Sequence, residues 1–173
     1  MPDSFIVDWN TVLTEDEISS CMLRPKRISG AREKKDGVKM KQNTLLLIKP
    51  DATGRNEIGR ILAKVEENGF AINKLKMFRM DEELADKFYA EHVGKPFFPS
   101  LSEFMRSGKI VGALLSREEA ISKLRELVGN TDSTKANLGS IRAVHGTSKG
   151  ENSVHASDSP ASAERELRLI FSE

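Results

Sequence analysis

Leu45-Leu46-Leu47-Ile48-Lys49-Pro50-Asp51-Ala52 is where a regular pattern begins in this chain. Four aliphatic residues in a row after Thr44 read as a strand over Thr44–Lys49. The strand ends in a charged turn, because proline removes a ladder donor and biases the residue before it toward extended backbone. Downstream, Ile58, Ile61, Leu62 and Val65 fall at the i, i+3, i+4, i+7 spacing of one helix face, which Asn68-Gly69 closes. Phe70–Met80 reads as a second strand, with Leu75 and Met77 alternating against Lys74 and Lys76. Asp81 caps a helix through about Tyr89, and Pro99–Ser107 is another short one. Ile110-Val111-Gly112-Ala113-Leu114-Leu115 is an apolar strand, and Arg117–Val128 is helical through Ala120, Ile121, Leu124 and Leu127 up to Gly129. A long, weakly patterned loop covers roughly 130 to 152. Pro160–Glu164 reads as a short helix with proline in its first turn, and Leu167-Arg168-Leu169-Ile170-Phe171 as a last strand. Strands and helices interleave without strict parallel alternation. That order defines an α+β fold, an antiparallel sheet covered by helices.

The 173 residues read as one domain with room for a core. Lys and Arg total 27 against 26 Asp and Glu, so a net charge of +1 exerts no general pull on nucleic acid or anionic lipid. An anionic ligand therefore needs a local cluster of basic groups. The single cysteine, Cys21, excludes an internal disulfide framework and a Cys-rich zinc site, and it suits a reducing, cytoplasmic setting. No apolar run reaches the ~18 residues of a bilayer span, and the N-terminus lacks a signal peptide's apolar core. Neither a membrane nor a nucleic acid is an expected partner.

Residues 1–43 differ in character and read as an N-terminal extension to a domain over 44–173. Thr14-Glu15-Asp16-Glu17 fits a capping box opening a short helix before Ile18. The charged stretch after it, from Arg24-Pro25-Lys26-Arg27 through Lys39, lacks apolar periodicity and reads as a linker or mobile arm. Glu33 and Asp36 interrupt its basic run, which favours a solvated tail over a nucleic-acid contact.

The second informative stretch is Asn152-Ser153-Val154-His155-Ala156-Ser157-Asp158-Ser159. It sets an imidazole among small polar residues, and His92, His145 and His155 are not spaced as a metal site. A lone neutral imidazole can attack phosphorus without a base removing a proton first, provided its other ring nitrogen is oriented by an acceptor. Alone, a histidine ahead of a helix is more often structural. The chain has no Gly-x-x-x-x-Gly-Lys-Ser/Thr loop, so phosphate would have to be held by separate side chains.

Taken together, Lys49-Pro50-Asp51 and Asn152-x-x-His155-x-Ser157-Asp158-Ser159 resemble the two signatures of nucleoside diphosphate kinases, and the resemblance runs from about Thr44 to the end. It implies a ferredoxin-like βαββαβ core with extra helices. It also implies transfer of the terminal phosphate of an NTP to an NDP through a phosphohistidine at His155. Glu166, helped by Ser157, would orient the ring, and Tyr89 would lie nearby. The spacing Arg125-x5-Thr131-x10-Arg142-x9-Asn152-x2-His155 matches the family without a gap and carries over Arg125, Thr131 and Arg142 as phosphate contacts. By the same resemblance Lys49 and Asn152 hold the sugar hydroxyls and Phe97 stacks on the base, while Phe98 reads as core. Mg²⁺ is the implied cofactor, held mainly by the nucleotide phosphates, with no protein metal site. A homo-oligomer, tetramer or hexamer built on dimers, is implied as well. Taken singly, each of these arginines is an ordinary solvated charge, Asp158 a helix cap, Glu166 a surface acid at a helix-to-strand junction and His92 structural. The chain also departs from the family pattern. His145 replaces a buried aromatic, Ala156 replaces a glycine and so puts a methyl where φ > 0 is one possibility, and Lys149 stands where an apolar residue covers the base.

Overall fold

The computed structural model describes residues 41–172. The capping box at Thr14–Glu17 and the basic run through Lys39 lie outside the described residues. The elements are β1 (Lys41–Ile48), α1 (Pro50–Gly54), α2 (Ile58–Glu67), β2 (Ala71–Arg79), α3 (Glu82–Phe88), α4 (Phe98–Arg106), β3 (Lys109–Glu118), α5 (Ala120–Val128), α6 (Ile141–His145), β4 (Val154–Ala156) and α7 (Pro160–Phe171). Short 3-10 turns at Ala90–His92 and Ser133–Lys135 complete them.

The sheet order among the described residues is β2-β3-β1-β4, and every pairing is antiparallel, as a ferredoxin-like βαββαβ core requires. The aliphatic run of β1 makes it central, since a strand covered on both faces reads as continuous apolar sequence rather than alternation. Leu46 and Ile48 pack with Ile61, Val65, Leu124 and Ile141 under α2, α5 and α6. Leu45 and Leu47 face the other way, onto Phe88, Met105 and Ile170 of α3, α4 and α7. All four β1 side chains are fully buried, each contributing about 1.5–3 kcal/mol on the usual transfer scale. β2 is an edge strand, and its Leu75 and Met77 are both more than half exposed. Asp81 caps α3 by accepting from the Leu84 N–H at 2.8 Å. Phe98 packs against the second core, as expected.

Four expectations need correction. Leu167–Phe171 is no strand; it is the second half of α7, which runs unbroken from Pro160. Ala163, Glu166 and Ile170 are its buried residues, a three-and-four spacing that belongs to a helix, and the Leu-Arg-Leu alternation is incidental. The fourth strand is instead Val154–Ala156, around the histidine. Arg117 and Glu118 still belong to β3, and α5 starts only after Glu119, which sits at φ +52. The turn at Pro50 is one turn of helix, α1, and the 130–152 loop contains α6.

No helix among the described residues is long and apolar enough to cross a membrane. Gly129 ends α5 at φ +84 and ψ −173, a conformation open to glycine almost alone, and a Cβ there would lie 2.5 Å from Ser140 Oγ, the N-cap of α6. Gly129→Ala should therefore destabilise the fold by about 1–3 kcal/mol. A lower urea midpoint is the expected result, and an unchanged midpoint would mean that the α5–α6 junction is not held this way.

Candidate active site

His155 is the middle residue of β4 and pairs across the ladder with Leu47. Directly opposed residues share a face of the sheet, so the imidazole points to the side covered by α3 and α7. Phe88 and Tyr89 meet its ring edge-on, with centroids 5.2 and 6.4 Å away. Its Nε2 lies 2.9 Å from Glu166 Oε2, and Ser157 Oγ donates to the same oxygen at 2.7 Å. A carboxylate only accepts, so Nε2 carries the hydrogen and Nδ1 keeps its lone pair. Glu166 reaches this point as a buried residue of α7, 4 % exposed, rather than as a surface acid. Arg165 Nη2 stands 3.7 Å from its other oxygen.

Lys49 succeeds the last residue of β1 and is 7 % exposed. Its Nζ donates to Asn152 Oδ1 at 2.7 Å, and the Asn152 amide donates in turn to the carbonyls of Thr131 and Lys149 at 2.8 and 3.1 Å. Burial first, then the Arg142 charge, pushes the Lys49 pKa down to about 8, and Asp51 pulls it partly back. Arg142, on α6, donates from Nη1 to Gly129 O and from Nη2 to Val154 O, both at 3.0 Å. Its buried Nε has no partner among the described residues. Burial and the Arg125 charge bring its pKa down to about 10, so it remains cationic at neutral pH.

One cavity of about 920 Å³ gathers Lys49, Tyr89, Phe97, Arg125, Thr131, Arg142, Asn152, His155 and Glu166. Of the ten residues singled out from the sequence, only Ser157 is missing from the wall; it is fully buried behind Glu166. Phe97 is 49 % exposed, with His92 edge-on at 5.5 Å and Lys95 Nζ 5.9 Å from its ring centre. His92, read as structural, also lines the cavity and stacks on Tyr89 at 6.1 Å. The Tyr89 hydroxyl is buried without a partner among the described residues, and burial, then Glu166, pushes its pKa up, keeping it neutral. Lys149 is on the wall too.

Other expectations resolve locally. Ser159, not Asp158, caps α7 by accepting from the Ser162 N–H, while Asp158 accepts from the Ser162 hydroxyl at 2.7 Å. Ala156 is ordinary strand, and the positive φ falls on Ser153 at +67. The His145 ring is 7 % exposed and bonds Glu57 through Nδ1 at 3.1 Å. Asp51 and Arg55, left without roles by the sequence, both reach the Ser153 segment. No local pattern links positions about 100 residues apart.

A strand-borne imidazole held by a carboxylate, facing a pocket walled by lysine and arginines, is the arrangement of a phosphotransferase. Residues 42–173 match the family described as Nucleoside diphosphate kinase. The chain is 52% identical over 132 residues to the nucleoside diphosphate kinase of Actinobacillus pleuropneumoniae, covering 76% of this chain and 96% of that one. Identity is 50% over 130 residues with the Staphylothermus marinus enzyme, covering 75% and 92%. The solved Aquifex aeolicus nucleoside diphosphate kinase superimposes with a TM-score of 0.75 at 48% identity, covering 77% of this chain and 96% of that one. The Halobacterium salinarum kinase, solved in complex with CDP, gives 0.75 at 37% identity, covering 78% and 90%. The chain belongs to the nucleoside diphosphate kinase family, enzymes that transfer phosphate between nucleoside triphosphates and diphosphates.

The Lys49 shift has a consequence for stability. Its pKa is 10.5 when unfolded and about 8 when folded, so between those values the unfolded chain binds more protons. Lys49's contribution to stability is thus full above 10.5 and lost as pH falls through about 8. Urea unfolding from pH 7.5 to 9.5, below the range where Tyr89 interferes, should show stability rising with pH in the wild type. In Lys49→Met that component of the slope should vanish, and equal slopes would contradict the assignment.

Proposed function

We propose that His155 is the nucleophile of this kinase and that Nδ1 is the attacking atom. The observation that carries the reading is the Nε2–Glu166 hydrogen bond, which commits one ring nitrogen and leaves the other for the cation-lined cavity. The Nδ1 lone pair bonds the terminal phosphorus of an NTP. The bond from that phosphorus to the bridging oxygen breaks, and its electrons leave with the NDP. The phosphorylated ring keeps its Nε2 hydrogen and gains positive charge, which the Glu166 carboxylate offsets; Ser157 fixes that carboxylate. A second NDP then takes the phosphoryl group by the reverse route, giving ping-pong kinetics.

Catalysis of phosphoryl transfer rests mainly on positioning and on positive charge near the equatorial oxygens. Arg125, Arg142 and Thr131 supply those contacts, the planar guanidinium being suited to paired phosphate oxygens. Lys49 and Asn152, already joined at 2.7 Å, meet the sugar hydroxyls. Phe97 stacks on the base, which tolerates every base because each has a π-face. Tyr89 packs beside the imidazole, a neutral neighbour that does not compete for the proton. Of the carboxylates on the cavity wall, Glu166 is engaged by His155 and Ser157, Asp158 by Ser162 and Glu151 by Thr147. Mg²⁺ would be held mainly by the nucleotide phosphates and would supply charge neutralisation there, with the cavity's cations taking the remaining charge.

The reading extends to a kinase domain over 44–173, which Lys41–Asn43 join as the start of β1, with the residues before them as an extension, working in the cytoplasm as a tetramer or hexamer built on dimers. Incubation with γ-labelled ATP should give an acid-labile label on the wild type and none on His155→Ala, which should still bind nucleotide. A labelled alanine variant would refute the nucleophile. Glu166→Ala should slow labelling on the order of 10²-fold by releasing the ring from its attack geometry, measured in a single turnover.

A further inference from the structure

The Lys49-Pro50-Asp51 turn holds a carboxylate with no part in the transfer steps of the phosphohistidine route. The Asp51 side chain is 3% exposed, and its Oδ2 accepts the Ser153 backbone N–H at 3.0 Å. Ser153 is fully buried at φ +67, the left-handed region where a Cβ is crowded. Such a conformation persists only when its surroundings over-determine it. Here they do. The Lys49 N–H donates to Ser153 O at 2.8 Å, and the Ser153 hydroxyl donates to His145 O at 2.5 Å. Arg55 Nη2 donates to that same carbonyl at 2.5 Å and stands 3.6 Å from Asp51 Oδ2.

The two halves of the site flank this one residue. Asn152, the partner of Lys49, comes just before it. Val154, whose carbonyl Arg142 holds, comes just after, and His155 is next. Relaxing Ser153 to a negative φ would swing the chain between them, so Asn152 and His155 would lose their common geometry. We infer that Asp51 is a positioning residue: by holding Ser153 in its left-handed conformation it sets Asn152 and His155 in register, with Arg55 tying the clamp to the end of α6. The inference rests on the phosphohistidine reading of the site. An electrostatic link supports it, because Asp51 raises the proton affinity of Lys49 against burial and against Arg142, the other charge facing that ammonium.

The test compares wild type, D51A, D51N and D51A/S153G in single-turnover labelling with γ-labelled ATP, in steady-state kinetics and in thermal unfolding. D51A should label His155 on the order of 100-fold more slowly at a temperature where it is fully folded. Glycine adopts φ +67 without a Cβ clash, so S153G in the D51A background should restore labelling by roughly tenfold or more. D51N keeps an acceptor oxygen and should label faster than D51A. Its lost charge should also move the alkaline limb of kcat/KM to lower pH, because Lys49 then releases its proton sooner. A carboxylate that only stabilises the fold would lower the unfolding temperature and leave the labelling rate of the folded variants unchanged. Should D51A fail to fold, D51N and D51A/S153G carry the comparison. Folded D51A labelling at the wild-type rate, D51A/S153G labelling no faster than D51A, or D51N labelling no faster than D51A would each overturn the assignment. Wild-type protein that takes no label would instead bring down the phosphohistidine reading itself.

Discussion

Strand β1 carries two cores and two ladders at once, and the rest of the molecule is arranged around that demand. Its four aliphatic side chains are fully buried, alternately under α2, α5, α6 and under α3, α4, α7. Its backbone pairs with β3 on one side and β4 on the other. A slip of one residue would exchange the two cores and draw the Lys49 ammonium into the sheet, so the register is strongly specified. Because β1 cannot move, the turn at its C-terminal end is held in place as well. Lys49 and Asp51 arrive beside the three-residue β4, and the Leu47–His155 pairing aims the imidazole at α7.

Charge at the site is organised against a nearly neutral background. The chain carries a net charge of only +1, yet Lys49, Arg125 and Arg142 converge on one cavity, two of them buried. Carboxylates offset that charge only in part, Asp51 near Lys49 and Asp158 near Arg125. Glu166 serves the His155 ring and Asp51 the Ser153 backbone. Burial first, then a neighbouring cation (Arg142 for Lys49, Arg125 for Arg142), lowers the proton affinity of both Lys49 and Arg142, so keeping them charged costs the fold. An anionic ligand relieves that cost. A buried ammonium at Lys49 therefore costs the fold stability, the pattern expected where a site is pre-organised at the expense of the fold.

Where the sequence was legible, periodicity or a defined chemical signal made it so. The α2 face at Ile58, Ile61 and Val65, the Asp81 cap and the buried run of β1 are read from spacing alone. The Leu167–Phe171 misreading shows the limit. Alternation over five residues fits a strand and also the flank of a helix, and only the seating of Glu166 and Ile170 against the sheet decides between them. β4 was illegible because a strand of three residues has no period to detect. It exists because β1 offers it an edge. The positive φ lies at Ser153 rather than at Ala156, since strain depends on distant partners rather than on local residue type.

The sequence by itself determined the α+β class, the central strand and, through the family resemblance that two signatures at opposite ends of the domain carry, nine of the residues that line the cavity. It could do so because residue type and spacing survive in one dimension. Tertiary structure alone decided which imidazole nitrogen is free, that Glu166 is buried on a helix, and that Asp51 reaches a backbone N–H 102 residues away. Those facts are distances and directions between separate segments, and they come into being only when burial of β1 brings the segments together.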